Sequence, residues 1–328
     1  MSKYSLDARR RPPNHQASVH PIVADAAALL GRFGGAAAAP ECGGTKPWLV
    51  APFRPISLAK LDDGSAMLER LDNKYVVGQP ALQHAIAPLS EHFDILEIEG
   101  RRAFTYETCY FDDARYSSYF DHHQGRRQRY KVRVRKYTDT QTCFVEVKLK
   151  DKRGITVKKR LDHPMDKYGA LDDRAMLHIQ SAYGQLYGRD FELELKPVLE
   201  IRYQRVTLAA KNGGERMTID SGLVFSGLNR THPIKDSIYI IETKSANGNG
   251  IADKIMRGLH QHPTSHCSKY CIGAALLRVV DRHNNFLPAL RKVESLPQPR
   301  SELGLTGEHL PTAAERPANP LWAPGFAT

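Results

Sequence analysis

Lys131, Arg133 and Arg135 are separated by Val132 and Val134. Strand side chains alternate between faces, so this segment puts three cations on one face and two valines on the other. The pattern recurs. Glu146, Lys148 and Lys150 oppose Val145, Val147 and Leu149, and Lys158 and Arg160 oppose Val157. Arg70, Asp72 and Lys74 oppose Leu71 and Tyr75, while Arg216, Thr218 and Asp220 oppose Met217 and Ile219. Glu242 and Lys244 oppose Tyr239, Ile241 and Thr243. Arginine engages phosphate oxygens in pairs through a planar fork, and lysine supplies a mobile point charge. The chemistry these residue types support is therefore recognition of a chain of phosphates.

Any one such strand reads as an ordinary amphipathic strand with its charged face in water. Charged faces on at least six strands admit a second solution, a closed sheet whose apolar faces pack outward on helices and whose charged faces line a lumen. Two like charges about 4 Å apart repel by about 4 kcal/mol at an effective dielectric near 20, so an empty cationic lumen is self-repelling and makes sense as a polyanion site. On this reading, removing Arg133 and Arg135 is expected to leave stability equal or higher, whereas arginines serving as buried partners of Glu146 or Glu200 would destabilise the fold when removed.

Alternating runs predict strands at Leu68–Val77, Ala103–Phe111, Gln128–Tyr137, Thr142–Lys150, Thr156–Leu161, Val198–Leu208, Arg216–Asp220 and Ile238–Thr243. Helical periods occur at Pro80–His92, Asp172–Leu186, Ile251–His260 and Ser268–Val280. Several strands lie too close together for helical crossovers, which favours antiparallel pairing. The expected fold is mainly β (α+β), a closed antiparallel β-barrel tunnel of about eight strands with helices outside. The expected organisation is a disordered arm over 1–50, the tunnel domain over 51–293, and a disordered Pro-rich tail over 294–328.

The formal charge of +11 and pI near 9.4 point to an anionic partner. Five widely spread cysteines without a CxxC pair suggest a reduced, cytoplasmic chain, and no run is long and apolar enough for a membrane span. His262 and His266 enclose Pro263 and lack the glutamate of a helical zinc motif, so they read as loop histidines. No Gly-x-x-x-x-Gly-Lys-Ser/Thr loop occurs, so side chains must bind the phosphates. Nucleic acid is an alternative anion, with Tyr106, Tyr110, Tyr116, Tyr119, Phe120 and Tyr130 as stacking surfaces, although most of these read as core or loop anchors.

The ordered motifs Arg70-Leu71-Asp72-Asn73-Lys74-Tyr75, Tyr110-Phe111-Asp112, Lys131-Val132-Arg133-Val134-Arg135, Glu146-Val147-Lys148, Tyr203-Gln204-Arg205, Ile241-Glu242-Thr243-Lys244 and Ser268-Lys269-Tyr270 resemble the vacuolar transporter chaperone (VTC) domain. That domain belongs to the triphosphate tunnel metalloenzymes. The resemblance covers about residues 67 to 282. It implies phosphate contacts from Lys74, Arg133, Arg135, Lys148, Lys158, Arg205 and Lys269, with Arg160 and Arg216 as further contacts. It also implies a divalent Mn or Mg ion on Glu242, which read from the residues alone could instead pair with Lys244 or a lumen arginine, and a polyphosphate polymerase-type phosphotransferase acting on nucleoside triphosphate and polyphosphate. Arg133, Arg135, Lys148 and Glu242 would then be catalytic. The hydrolytic branch carries Glu-x-Glu-x-Lys where this chain has Arg70-x-Asp72-x-Lys74, a departure that favours the VTC branch. The alternatives are a tripolyphosphatase or nucleoside triphosphatase of the same superfamily, and a non-catalytic polyphosphate-binding module.

Overall fold

In the computed structural model of the chain, residues 46–63 and 71–295 are described. Most of the two expected disordered segments, together with Arg70, lies outside the described residues. Ordered structure reaches slightly past the expected domain limits. The helix Pro47–Val50 (α1) buries Leu49, and a C-terminal helix runs Leu287–Ser295 (α8).

Eight antiparallel strands follow one path: β2 (Leu71–Gly78), β11 (Ile238–Ser245), β9 (Arg216–Gly227), β8 (Lys196–Ala210), β4 (Ala103–Asp112), β5 (Arg129–Tyr137), β6 (Thr142–Lys150) and β7 (Thr156–Asp162). They are the eight that alternation predicts. The largest boundary difference is in β9, which continues past Asp220 to Gly227. There a bulge opposite Arg202 and Gln204, with Gly222 at φ +58°, breaks the alternation that a sequence reading follows. Three short strands hang off the path: β1 (Pro55–Ile56) pairs with β3 (Phe93–Leu96), β3 with β8, and β10 (Arg230–Pro233) with β9.

The expected closed barrel is not formed by hydrogen bonds: the path ends at β2 and β7, which do not pair. Thr264 accounts for the free side of β2. Its backbone amide donates to the Lys74 carbonyl at 2.7 Å, and its hydroxyl accepts from the Val76 amide at 3.1 Å. These groups would otherwise be open to a further strand, so a loop covers the edge in its place.

The sheet nevertheless curls. Helix α7 (Lys269–Leu276) is capped by Ser268, whose hydroxyl accepts from the Cys271 amide and from the Lys131 ammonium of β5 at 2.8 Å. The next residue, Lys269, pairs with Asp220 of β9 at 2.5 Å. β5 and β9 are three steps apart along the path, so one helix end reaches both only if the face between them is concave.

The opposite, convex face is apolar and covered. Val132, Val134, Val145, Val147 and Leu149 pack with Ala175, Ile179 and Tyr183 of α5 (Asp173–Tyr187). Tyr75, Val77, Val206, Leu208, Ile219 and Ile241 pack with Leu82, Ile86 and Leu89 of α3 (Gln79–His92) and Met256 of α6 (Ile251–Gly258). Each such aliphatic side chain contributes roughly 1.5–3 kcal/mol on burial. This packing fixes the polar residues of the same strands on the concave face.

At one end of the concave face, α7 and α8 pack on Val76, Ile240, Leu199, Ile201 and Phe225. Close approach requires Gly273: a Cβ there would lie 2.5 Å from Phe225 Cδ1. Gly273→Ala is expected to cost about 1–3 kcal/mol through overpacking, read as a lower urea midpoint. An unchanged midpoint would show that α7 can withdraw from Phe225 without loss.

Candidate functional site

Strand register carries the polar residues of eight strands onto one surface. Glu242 is opposite both Lys74 and Thr218, Asp220 opposite Arg205, Tyr110 opposite Arg133, Lys131 opposite Lys148, Glu146 opposite Arg160, and Lys148 opposite Lys158. Lys269 reaches the same surface from α7. All the predicted site residues therefore share the concave face or its rim. Leu71 does not join the apolar face expected of it and is 58% exposed.

Three carboxylates divide the cations into groups. Glu146, 1% exposed, receives the Arg133 guanidinium through Nε and Nη2 at 2.6 Å each, Lys158 at 2.5 Å and Arg135 at 3.7 Å. Asp220, fully buried, takes a two-pronged contact from Arg205 at 2.6 and 2.8 Å as well as Lys269. Glu242 lies 3.6 Å from Lys74 and 3.5 Å from Lys244. Burial alone would raise all three carboxyl pKa values. The surrounding cations outweigh it, so Glu146 and Glu242 end well below the ordinary value and Asp220 below it.

Of the two readings of Arg133 and Arg135, mutually repelling cations or buried partners of Glu146 or Glu200, the contacts match partnership with Glu146. Glu146 is their buried counter-charge, and these two arginines are structural partners as well as cations of the face. The pattern Glu146-Val147-Lys148 placed this carboxylate on the cationic face, but the strand register was needed to put it opposite Arg133.

Aromatic rings form the floor beneath the guanidiniums. Tyr106 stacks on Tyr203 at 5.4 Å, and Arg135 and Arg205 lie 5.3 and 5.0 Å from the Tyr106 ring. Tyr110 stacks on Tyr270 at 5.2 Å and its hydroxyl accepts from Arg133 at 3.2 Å. Burial pushes the Tyr110 hydroxyl pKa up, yet Arg133, Arg135 and Lys131 bring it below the ordinary value, which reports the positive potential here. In the sequence, Tyr106 and Tyr110 read as core or loop anchors, with stacking surfaces as the alternative. Their place between cations depends on pairing with β5 and β8, which the sequence does not state.

Lys148 is exposed to the space above the face. Desolvation by its surroundings, then repulsion from Lys74, pushes its pKa down to about 8. That Lys148 of β6 feels Lys74 of β2 shows again how the sheet curls. Arg160 lies 3.3 Å from the Phe144 ring centroid, and its buried Nε has no hydrogen-bond partner. Arg216 donates to the Leu61 carbonyl at 2.7 Å, at the rim beside α2 (Leu58–Asp63).

Among the described residues, no three His, Cys, Asp or Glu side chains converge as a metal-binding cluster. Glu146 and Asp220 are taken up by short charge-assisted contacts. Glu242, with 17% side-chain exposure and ammonium contacts of 3.5 and 3.6 Å, is the least tightly engaged of these three carboxylates. Its hard carboxylate oxygens would suit a divalent ion such as Mn or Mg. The four described cysteines are free and buried, and among the described residues no helix is long and apolar enough to cross a membrane.

A model of the VTC domain family matches residues 69–278, more than half of the chain. No curated protein matches significantly. Similar solved structures include a Hippeastrum adenylyl cyclase-type protein described as having a dominant triphosphatase activity, with 15% identity, 63% of this chain and 96% of that chain covered, and TM-score 0.42. An adenylate cyclase-type protein of Bacillus halodurans shows 13% identity, coverage of 61% and 95%, and TM-score 0.36. A Pyrococcus horikoshii protein shows 16% identity, coverage of 64% and 96%, and TM-score 0.36.

Glu146→Gln is expected to destabilise the phosphate-free protein by about 3 kcal/mol, because Arg135, at 7% side-chain exposure, cannot be rehydrated. The folded carboxyl is held below its unfolded value. Its stabilisation is therefore complete at neutral pH and is lost as pH falls from the ordinary glutamate range through the depressed folded value. Melting temperatures from pH 7 to 3 should converge for wild type and variant; parallel curves would contradict the assignment.

Proposed function

This chain belongs to the VTC domain family, and from that membership together with the concave cationic face we propose a polyphosphate polymerase-type phosphotransferase. The observation that carries the reading is the convergence of Lys74, Arg133, Arg135, Lys148, Lys158, Arg205 and Lys269 on one concave surface from five strands and a helix. Cations so placed match a linear polyanion better than a compact one.

In the proposed reaction a terminal oxygen of a polyphosphate chain attacks the γ-phosphorus of a nucleoside triphosphate. The new O–P bond forms as the bond from the γ-phosphorus to the β,γ-bridging oxygen breaks. The electron pair leaves with the nucleoside diphosphate, and no proton is needed between ionised phosphates. Arg133, Arg135 and Lys148 hold the transferring phosphates and offset their developing charge. Lys74, Lys158, Arg205 and Lys269 orient the flanking phosphates, and Arg160 and Arg216 extend the contact toward the rim. Glu242 would hold a divalent ion, Mn or Mg, which would supply charge neutralisation to the phosphates.

Transfer is favoured over hydrolysis by the carboxylate inventory. Glu146 and Asp220 are engaged by guanidinium and ammonium groups and are not free to activate water. The curled sheet and α7 also limit water around the reacting phosphates.

Incubation of the protein with ATP and Mn²⁺ is expected to yield long-chain polyphosphate. Free phosphate in its place would assign the chain to hydrolysis, and binding without turnover would make it a polyphosphate-binding module. Glu242→Gln should lower turnover at least about 100-fold while metal-free tripolyphosphate binding persists; unchanged turnover would return Glu242 to a purely structural role. Tripolyphosphate affinity should also fall as pH rises through about 8, where Lys148 loses its proton.

A further inference from the structure

Beyond the cations paired with Glu146, Asp220 and Glu242, the concave face carries a second set, within which Lys148 feels Glu242 and Asp72 from a distance. Lys131 donates to Ser268 and lies 6.0 Å from the Tyr270 ring. Arg129, at the start of β5, donates to the Arg126 carbonyl at 2.7 Å. Neither these two nor Lys148 makes an ion pair among the described residues.

His122 is set against this group from α4 (Ser117–His123), 5.7 Å from the Phe286 ring. Its Nδ1 is buried and has no hydrogen-bond partner. The groups acting on it come from three elements: Lys131 and Arg129 of β5, Lys148 of β6, and His266 of the loop before α7. All are basic. Repulsion from Lys131 first, then burial, holds the free imidazole neutral far below its ordinary range. A buried ring nitrogen without a hydrogen-bond partner, set among basic groups, has the composition of an anion-binding site.

Geometry indicates how large that anion is. Arg129, Lys131, Arg133 and Arg135 alternate along one strand, and three two-residue steps span roughly 20 Å. That exceeds the reach of three linked phosphates. A triphosphate held at Arg133 and Arg135 would leave the Arg129 end of this rail unused.

We infer that His122, Arg129 and Lys131 form a chain-extension subsite that binds the phosphates of a linear inorganic polyphosphate beyond those held at Arg133 and Arg135. It rests on the phosphate-binding reading given above. An anionic chain there would supply the counter-charge the group lacks and let His122 take up a proton, so that its Nδ1–H becomes a donor to a phosphate oxygen.

The test compares tripolyphosphate with long-chain polyphosphate by calorimetry on the full chain and on the double variant His122→Gln, Arg129→Gln. Wild type should bind the long chain more tightly. The variant should lose about tenfold in long-chain affinity, equivalent to about 1.4 kcal/mol, while tripolyphosphate affinity stays within about twofold. Normal tripolyphosphate binding with an undiminished long-chain preference would overturn the subsite alone. Absence of tripolyphosphate binding by wild type would overturn the phosphate-binding reading with it. Equal loss for a single-stranded oligonucleotide and polyphosphate would assign the site to nucleic acid and overturn the inference. Independently of how the variant folds, NMR titration of wild-type His122 should show its pKa rising into the ordinary histidine range when long-chain polyphosphate is added. No change on addition would contradict the subsite.

Discussion

Cations brought together on one concave surface must be kept from forcing that surface open before any ligand arrives, and Glu146 meets most of this constraint. It is buried at the point where β5, β6 and β7 present Arg133, Arg135 and Lys158, and its short contacts fix the first guanidinium in place. Asp220 does the same for Arg205 and Lys269. A buried carboxylate without such partners would be strongly disfavoured, as would the partners without it. On the proposed function, the face is a set of charge clusters arranged before phosphates arrive, with the cost of ordering long side chains met during folding rather than at binding.

The architecture follows from holding those clusters. Apolar residues of the same strands lie under α3, α5 and α6, which prevents the strands from rotating their charges outward. The sheet need not close by hydrogen bonds, because Thr264 satisfies the free edge of β2 and α7 spans the concavity from Lys131 to Asp220. Curvature and the helix together do what a closed ring of strands would do.

Much of this was legible in the sequence because strand periodicity is a local property. Alternation around Lys131–Arg135 and Glu146–Lys150 located β5, β6 and their inward residues, and the same reading gave all eight strands of the path. Pairing register is a long-range property. The sequence therefore did not show that Glu146 faces Arg133, that Asp220 faces Arg205, or that Tyr106 lies between two guanidiniums. Closure was overestimated for a related reason: nothing in the local pattern of Thr264 marks it as the partner of β2's backbone. Helix α4, with His122, was missed because its seven residues are too few to establish a period.

The central claim is that the clusters around Glu146 and Asp220 receive a chain of phosphates. A crystal structure with tripolyphosphate bound tests it most directly. The account predicts phosphate oxygens within hydrogen-bond distance of Arg133, Arg135, Lys148 and Arg205, on the concave face beneath α7. Tripolyphosphate bound only on the convex surface, with those four side chains unengaged, would contradict it.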